Sequence, residues 1–210
     1  PIHIDGWSWD SRFSDDENLL NLAHIASLNT YRFRRGMAGG LYGAVLARPG
    51  RDMREGQRRE IQILGLGVSY PPRFADDSEV AEAAQGKAAP TAKQLTGAKA
   101  TTLHAEIMVV ARCAREGLAT EGSWLYCLQP PCWECCKALL MSGVARIVFQ
   151  RSHDPGACLR QRDVVAATGA EWLCIPCSEE RSRFLEGVSQ VWQQRHFDGS
   201  GGAARSTGVA

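Results

Sequence analysis

The 210-residue chain has no apolar run near the roughly 18 to 20 residues that a bilayer-crossing helix needs. Its first residues, PIHIDGWSWDS, lack a basic stretch followed by an apolar one, so no secretory signal is read there. The chain starts at Pro1 rather than Met, and the native N-terminus is expected to have been trimmed or to lie upstream. There is no internal repeat. Lysine is scarce: of 24 basic residues only Lys87, Lys93, Lys99 and Lys137 are lysines, which leaves twenty arginines beneath a net charge of +1. Eight of these fall between Arg32 and Arg59, against the acids Asp52 and Glu55 within that stretch and Glu60 just after it. Arginine's planar fork suits bidentate phosphate contacts. An Arg-rich codon usage and a solvated loop account for the run equally well.

Cysteine, by contrast, is plentiful. Eight cysteines could form a secreted disulfide scaffold, but the chain is long and four of them sit in C-x-x-C spacings, which point to metal or redox chemistry. A reducing, intracellular and cytoplasmic setting is expected, with the nucleus as the other open compartment. Apolar content of 44% and charged content of 22% are ordinary for a globular chain of this length, which can bury a self-sufficient core.

Periodicity predicts the elements. Ser14-Asp15-Asp16-Glu17 reads as a capping box opening a helix whose apolar positions run from Leu19 to Leu28, continuing to about Arg34. Tyr42–Leu46 and Ile61–Val68 read as a hairpin across an Arg-rich connection. Ser69–Thr101 has no periodicity and is expected to be a flexible wall or lid. Helices are then predicted over His104–Glu116, Cys132–Met141, Cys158–Thr168 and Ser178–Arg195, with strands Trp124–Leu128, Ala145–Gln150 and Glu171–Ile175 between them. This alternation predicts an α/β sandwich. Residues 1–13 read as an N-terminal extension, 14–195 as the domain and 196–210 as a disordered tail rich in Gly, Ala and Ser.

The chemistry concentrates in His104-Ala105-Glu106 and Pro131-Cys132-Trp133-Glu134-Cys135. Each group opens a helix. Free N–H groups and the positive dipole end at a helix start favour thiolates at Cys132 and Cys135. Three ligands, His104, Cys132 and Cys135, leave the fourth tetrahedral position open, as in a catalytic rather than a structural zinc site. Glu106 would not ligate; it is placed to move a proton, for which a structural site has no use. Alone, His104 would more often be a capping residue, and the two cysteines half of a zinc knuckle. Together they point to one catalytic Zn2+.

H-x-E followed by P-C-x-x-C is the signature of zinc deaminases, and the chain resembles the cytidine deaminase superfamily. Within it the chain looks most like the deoxycytidylate (dCMP) deaminase branch, through Ile63-Leu64-Gly65-Leu66-Gly67 with Asp76-Asp77, Leu103–Val110, and Tyr126–Ile147. The resemblance covers roughly Asn21 to Ile175. It implies a three-layer sandwich with a five-stranded mixed sheet, strands 4 and 5 parallel, and the two zinc-bearing helices on one face. It also implies hydrolytic deamination of cytosine to uracil in a (deoxy)cytidine nucleotide, with homo-oligomers as a common state. One departure concerns the substrate. The branch carries an Asn in a G-Y-N-G segment after the second strand, and Gly67-Val68-Ser69-Tyr70-Pro71-Pro72 has none.

Substrate contacts are assigned to Ser69, Tyr70, Ala105, Trp133, Arg151 and His153. Trp133 and Tyr126 could stack on a base, although packing is the commoner role for both. His153, Cys158, Cys174 and Cys177 could form a second, structural metal site; ordinary buried thiols are the favoured reading. Cys113, Cys127 and Cys136 are expected in the core. Besides a mononucleotide enzyme, three readings stay open: a polynucleotide deaminase acting on single-stranded DNA or RNA, a deaminase of purines, and a non-catalytic zinc-binding scaffold subunit. Glu106 speaks against the last.

Overall fold

The computed structural model describes residues 2–30, 42–50, 60–69, 103–151 and 158–196. The chain runs α1 (Asp15–Leu28), β1 (Gly43–Pro49), β2 (Ile61–Val68), α2 (Ala105–Arg115), β3 (Trp124–Cys127), α3 (Trp133–Met141), β4 (Arg146–Phe149), α4 (Leu159–Ala167), β5 (Glu171–Cys174) and α5 (Glu179–His196). The five strands form one sheet in the order β2-β1-β3-β4-β5. β1 pairs antiparallel with β2 and with β3, whereas β3, β4 and β5 run parallel. The expected mixed sheet with parallel fourth and fifth strands is therefore present. No helix among the described residues is long and apolar enough to cross a membrane.

Side-chain alternation along the strands sorts the core into two layers. Ala44 and Leu46 of β1, Leu125 and Cys127 of β3, and Ile147 and Phe149 of β4 pack against α2, α3 and α4 through Val109, Cys113, Cys136, Leu139 and Val165. Val45, Tyr126 and Val148 point the other way, onto Leu19, Leu20, Leu22 and Ala23 of α1. Helix α5 then covers α1, with Leu185, Val188 and Trp192 against Ile25 and Leu28. The result is three layers: α1 and α5, the sheet, and α2 with α3 and α4.

The capping box at the start of α1 forms as read: the Ser14 hydroxyl accepts from the Glu17 amide, and the Ser14 amide donates to Glu17 Oε2 at 2.9 Å. The helix ends at Leu28, the last of its apolar positions. Asn29 is its C-cap, and its buried side chain is committed to the N-terminal segment, accepting from the His3 amide at 2.8 Å and donating to the His3 carbonyl at 2.7 Å. Residues 31–34 lie outside the described residues, as do most of the Arg-rich stretch, the expected lid apart from Ser69, and the tail from 197. Strand β1, conversely, runs to Pro49 rather than Leu46. β3 pairs only with Ala44–Ala47, so beyond Ala47 the strand has one neighbour, and a proline that lacks an N–H is tolerated there.

Two glycines set the spacing between layers. A Cβ on Gly67 of β2 would collide with the Ala105 carbonyl at the start of α2, and one on Gly43 of β1 would collide with the Ala23 carbonyl of α1. Only glycine allows backbone to approach backbone so closely. Gly67 thereby seats the first turn of α2 directly on the sheet.

Candidate metal centre

His104 and Cys132 occupy equivalent places: each is the N-cap of its helix, in extended backbone, with a carbonyl that starts the helical ladder. The Met108 amide donates to the His104 carbonyl at 3.0 Å, and the Cys136 amide to the Cys132 carbonyl at 2.8 Å. Cys135 follows on the first turn of α3, buried, while Cys132 is exposed. The two helix starts meet at the carboxyl end of the parallel strand β3, where open α/β sheets hold their ligands.

The three side chains converge. His104 Nδ1 lies 3.5 Å from Cys132 Sγ and 3.4 Å from Cys135 Sγ. The three ligand atoms all fall within 4.8 Å of one another. A tetrahedral zinc, with Zn–S of about 2.3 Å and Zn–N of about 2.0 to 2.1 Å, sets the S···N edges of its coordination shell near 3.5 Å. The observed edges match that shell, so the residues fit the ion that their donor set implies. The positive ends of two helix dipoles meet there, and this favours the anionic sulfurs.

The thiols are electrostatically unequal. A hydrogen bond from Cys135, with a further contribution from His104, holds the Cys132 thiol down to about 4, whereas the same bond and burial push Cys135 up. Left to themselves the two sulfurs share one proton; a cation binds both as thiolates. Glu106, on the first turn of α2, is pushed upward by burial, partly opposed by His104. Its charge raises both Cys127 and Cys135.

The remaining predicted contacts are scattered. Ala105 is buried with its carbonyl against Gly67. Ser69 is buried at the end of β2, its amide donating to the Tyr42 carbonyl at 3.2 Å. Trp133 is half-buried, with the Arg160 guanidinium 3.8 Å from its ring centroid and Lys137 at 5.6 Å, so protein cations already lie over the ring. Tyr126 points to the opposite layer, where its hydroxyl donates to Asp16 Oδ1 at 2.7 Å; it packs and does not meet a base. Arg151 is exposed after β4, and its charge acts on His24 of α1. Tyr70 and His153 lie outside the described residues. Among the described residues, Cys158, Cys174 and Cys177 do not bring three ligand atoms together. Cys113, Cys127 and Cys136 are all buried in the core beneath α2 and α3.

The structure adds residues that the spacing did not single out. Gly67 places the His104 turn, and a glycine inside a strand is the signal that could have found it. Arg160 reaches Trp133 from α4, a contact between helices that no local pattern encodes.

Comparison with known proteins supports the same reading. The family model for the cytidine and deoxycytidylate deaminase zinc-binding region matches residues 16–151. ComE operon protein 2 of Bacillus subtilis is 30% identical over 54 residues, 26% of this chain and 29% of that protein. The deoxycytidylate deaminase of Enterobacteria phage T4 is 31% identical over 77 residues, 35% of this chain and 38% of that enzyme. The matched stretch thus spans well under half the length of these relatives. In fold, the chain is similar to the dCMP deaminase of cyanophage S-TIM5 in complex with dCMP and dUMP. The TM-score is 0.52 at 17% identity, over 79% of this chain and 99% of that one. With its zinc-ligand geometry in place and the family model spanning both helix starts, the chain belongs to the cytidine and deoxycytidylate deaminase zinc-binding family.

Proposed function

We propose that the protein is a zinc-dependent deaminase that converts cytosine to uracil in a (deoxy)cytidine nucleotide. The observation that carries this is the convergence of His104, Cys132 and Cys135 at two helix starts, with the half-buried Glu106 on the first turn of the helix that His104 caps. His104, Cys132 and Cys135 would hold the zinc, whose Lewis acidity lets water react as a nucleophile near neutral pH. Glu106 takes one proton from the attacking water and delivers it to the pyrimidine N3. It then takes the second from the hydroxyl formed at C4 and delivers it to the amine, which leaves as ammonia while the C4 carbonyl forms. A carboxyl raised by burial suits both halves of that task, because it accepts and releases a proton closer to neutrality than a solvated glutamate.

The nucleotide substrate is supported by the phage deoxycytidylate deaminases and by the cyanophage enzyme captured with dCMP and dUMP. The test is to incubate the zinc-loaded chain with dCMP, CMP, deoxycytidine and a cytosine-containing single-stranded oligonucleotide, and to measure uracil formation. Turnover of dCMP or CMP above the other two is expected. Turnover of the oligonucleotide alone would replace this reading with polynucleotide deamination.

A further inference from the structure

The two ends of the described chain meet in a second cluster of metal-ligating side chains, on the α1/α5 side of the molecule and apart from the His104 centre. His196 Nε2 lies 2.8 Å from Asp5 Oδ2, and His3 Nδ1 lies 3.9 Å from the same oxygen. The three ligand atoms all fall within 4.8 Å of one another. The two imidazole rings sit 4.5 Å apart between centroids, tilted by 46°. We infer that His3, Asp5 and His196 form a second divalent-metal site, selective for zinc-like transition ions, which clamps the N-terminal segment to the end of α5.

Three features argue that the cluster is built rather than accidental. The backbone of His3 is pinned from both sides: its amide and carbonyl are held by the buried Asn29, and its carbonyl also accepts from Trp192 Nε1 at 3.1 Å. Asp5 stands in a turn closed by the Trp7 amide donating to the Ile4 carbonyl at 3.0 Å, with Gly6 at φ +81°, the positive φ that a type II turn requires in third place. The carboxylate is also oriented. Arg195 holds Oδ1 at 2.9 Å, which leaves Oδ2 facing both imidazoles, the kind of outer support that metal-binding carboxylates receive.

The electrostatics agree with a cation. His196 lies in the last turn of α5, where the helix dipole favours positive charge. Two imidazoles and one carboxylate suit zinc, cobalt, nickel or copper rather than calcium or magnesium, which prefer all-oxygen shells. All three side chains are partly exposed, so an ion can enter from solvent. Binding would replace the direct contact between His196 Nε2 and Asp5 Oδ2 with bonds to the ion.

Cobalt(II) titration of the ion-free full chain tests this by absorption spectroscopy. Ions at Cys132 and Cys135 give thiolate-to-cobalt charge transfer; an ion at the second site gives only ligand-field bands. Two spectroscopically distinct equivalents are expected in the wild type. The thiolate-free one should disappear in His3→Ala, in His196→Ala and in the near-isosteric Asp5→Asn, while the charge-transfer band stays. His3→Ala keeps every backbone hydrogen bond to Asn29 and Trp192, so it should fold, and circular dichroism checks that it does. Added Zn2+ should then raise the Tm of the zinc-loaded wild type but not of these variants. Equal cobalt stoichiometry in the wild type and all three variants would overturn the second site.

Discussion

The two faces of the sheet treat buried charge in opposite ways. On the α1/α5 face, the charged groups that knit the layers together are met by fixed partners. Asp16 accepts from Tyr126 and from both arms of the Arg146 guanidinium, which also donates to Glu171 at 2.8 Å. Arg181 is fully buried, yet donates to Asn21, Gln150 and the Pro176 carbonyl. On the α2/α3 face, Glu106 is half-buried near thiols and an imidazole, and its desolvation outweighs what opposes it, so its pKa rises. One face satisfies its charges and thereby fastens α1 and α5 to the sheet. The other leaves a carboxyl ready to exchange a proton. Burial alone does not separate structure from chemistry; what surrounds the buried charge does.

The sharpest way to break the comparison is to remove the reactive carboxyl. Glu106→Gln should lower the deamination rate by about 10²- to 10⁴-fold, the span general acid–base catalysis contributes. Zinc content should stay at the wild-type level, because Glu106 is no ligand. Uracil release and metal analysis on the same sample read the two effects. Zinc lost together with activity would make Glu106 a structural member of the centre instead.

A matched pair of glycine substitutions sets one face against the other. Gly67→Ala and Gly43→Ala each force a Cβ onto a helix carbonyl, Ala105 in the first case and Ala23 in the second. Overpacking of this kind costs about 1 to 3 kcal/mol or more, and chemical denaturation should show a loss in both. Only Gly67→Ala pushes on the turn that carries His104. It alone should also weaken zinc retention against a competing chelator. Equal zinc retention in the two variants would mean that the α2 start is held by something other than its seat on β2.

Much of this was legible from spacing, because the features concerned are local. Ser14 with Glu17, His104 with Glu106, and Cys132 with Cys135 each lie within one helical turn, where residue type and helix geometry suffice. The hairpin of β1 with β2 and the alternation along β3 and β4 follow from period-2 patterns in the same way. What stayed hidden depends on contacts between distant segments. Asp16 meets Arg146 across 130 positions, and Asp5 meets His196 across 191. The end of α1 belongs here too, since its C-cap Asn29 bonds the backbone of His3. Tyr126 is instructive because its neighbours Leu125 and Cys127 face α2 and α3; alternation puts its ring on the far side from the zinc ligands.

Smaller effects probe the satisfied face. Tyr126→Phe removes one hydrogen bond to Asp16 but leaves Arg146 in place, so the carboxylate keeps a partner. A loss of about 0.5 to 1.5 kcal/mol is expected in urea unfolding, with no change in zinc content or deamination. A larger loss would show that Asp16 relies on the tyrosine more than on the arginine.

The weakest probe is pH acting on His24. This residue of α1 lines a cavity of about 380 Å³ with Gln150, Cys177, Leu185 and Glu186. Burial lowers its pKa, and the positive charges of Arg151 and Arg181 add to the effect. Because the folded pKa lies below the unfolded value of about 6.5, the unfolded chain binds more protons between the two. The contribution of neutral His24 is therefore fully present above pH 6.5 and is lost as pH falls through the folded pKa. One such group adds a slope of at most about 1.4 kcal/mol per pH unit. Unfolding of the wild type between pH 7 and 5 should be steeper in pH than that of His24→Gln, which has nothing to protonate. Identical slopes would place the acid sensitivity elsewhere and leave the α1/α5 face without a titrating weak point.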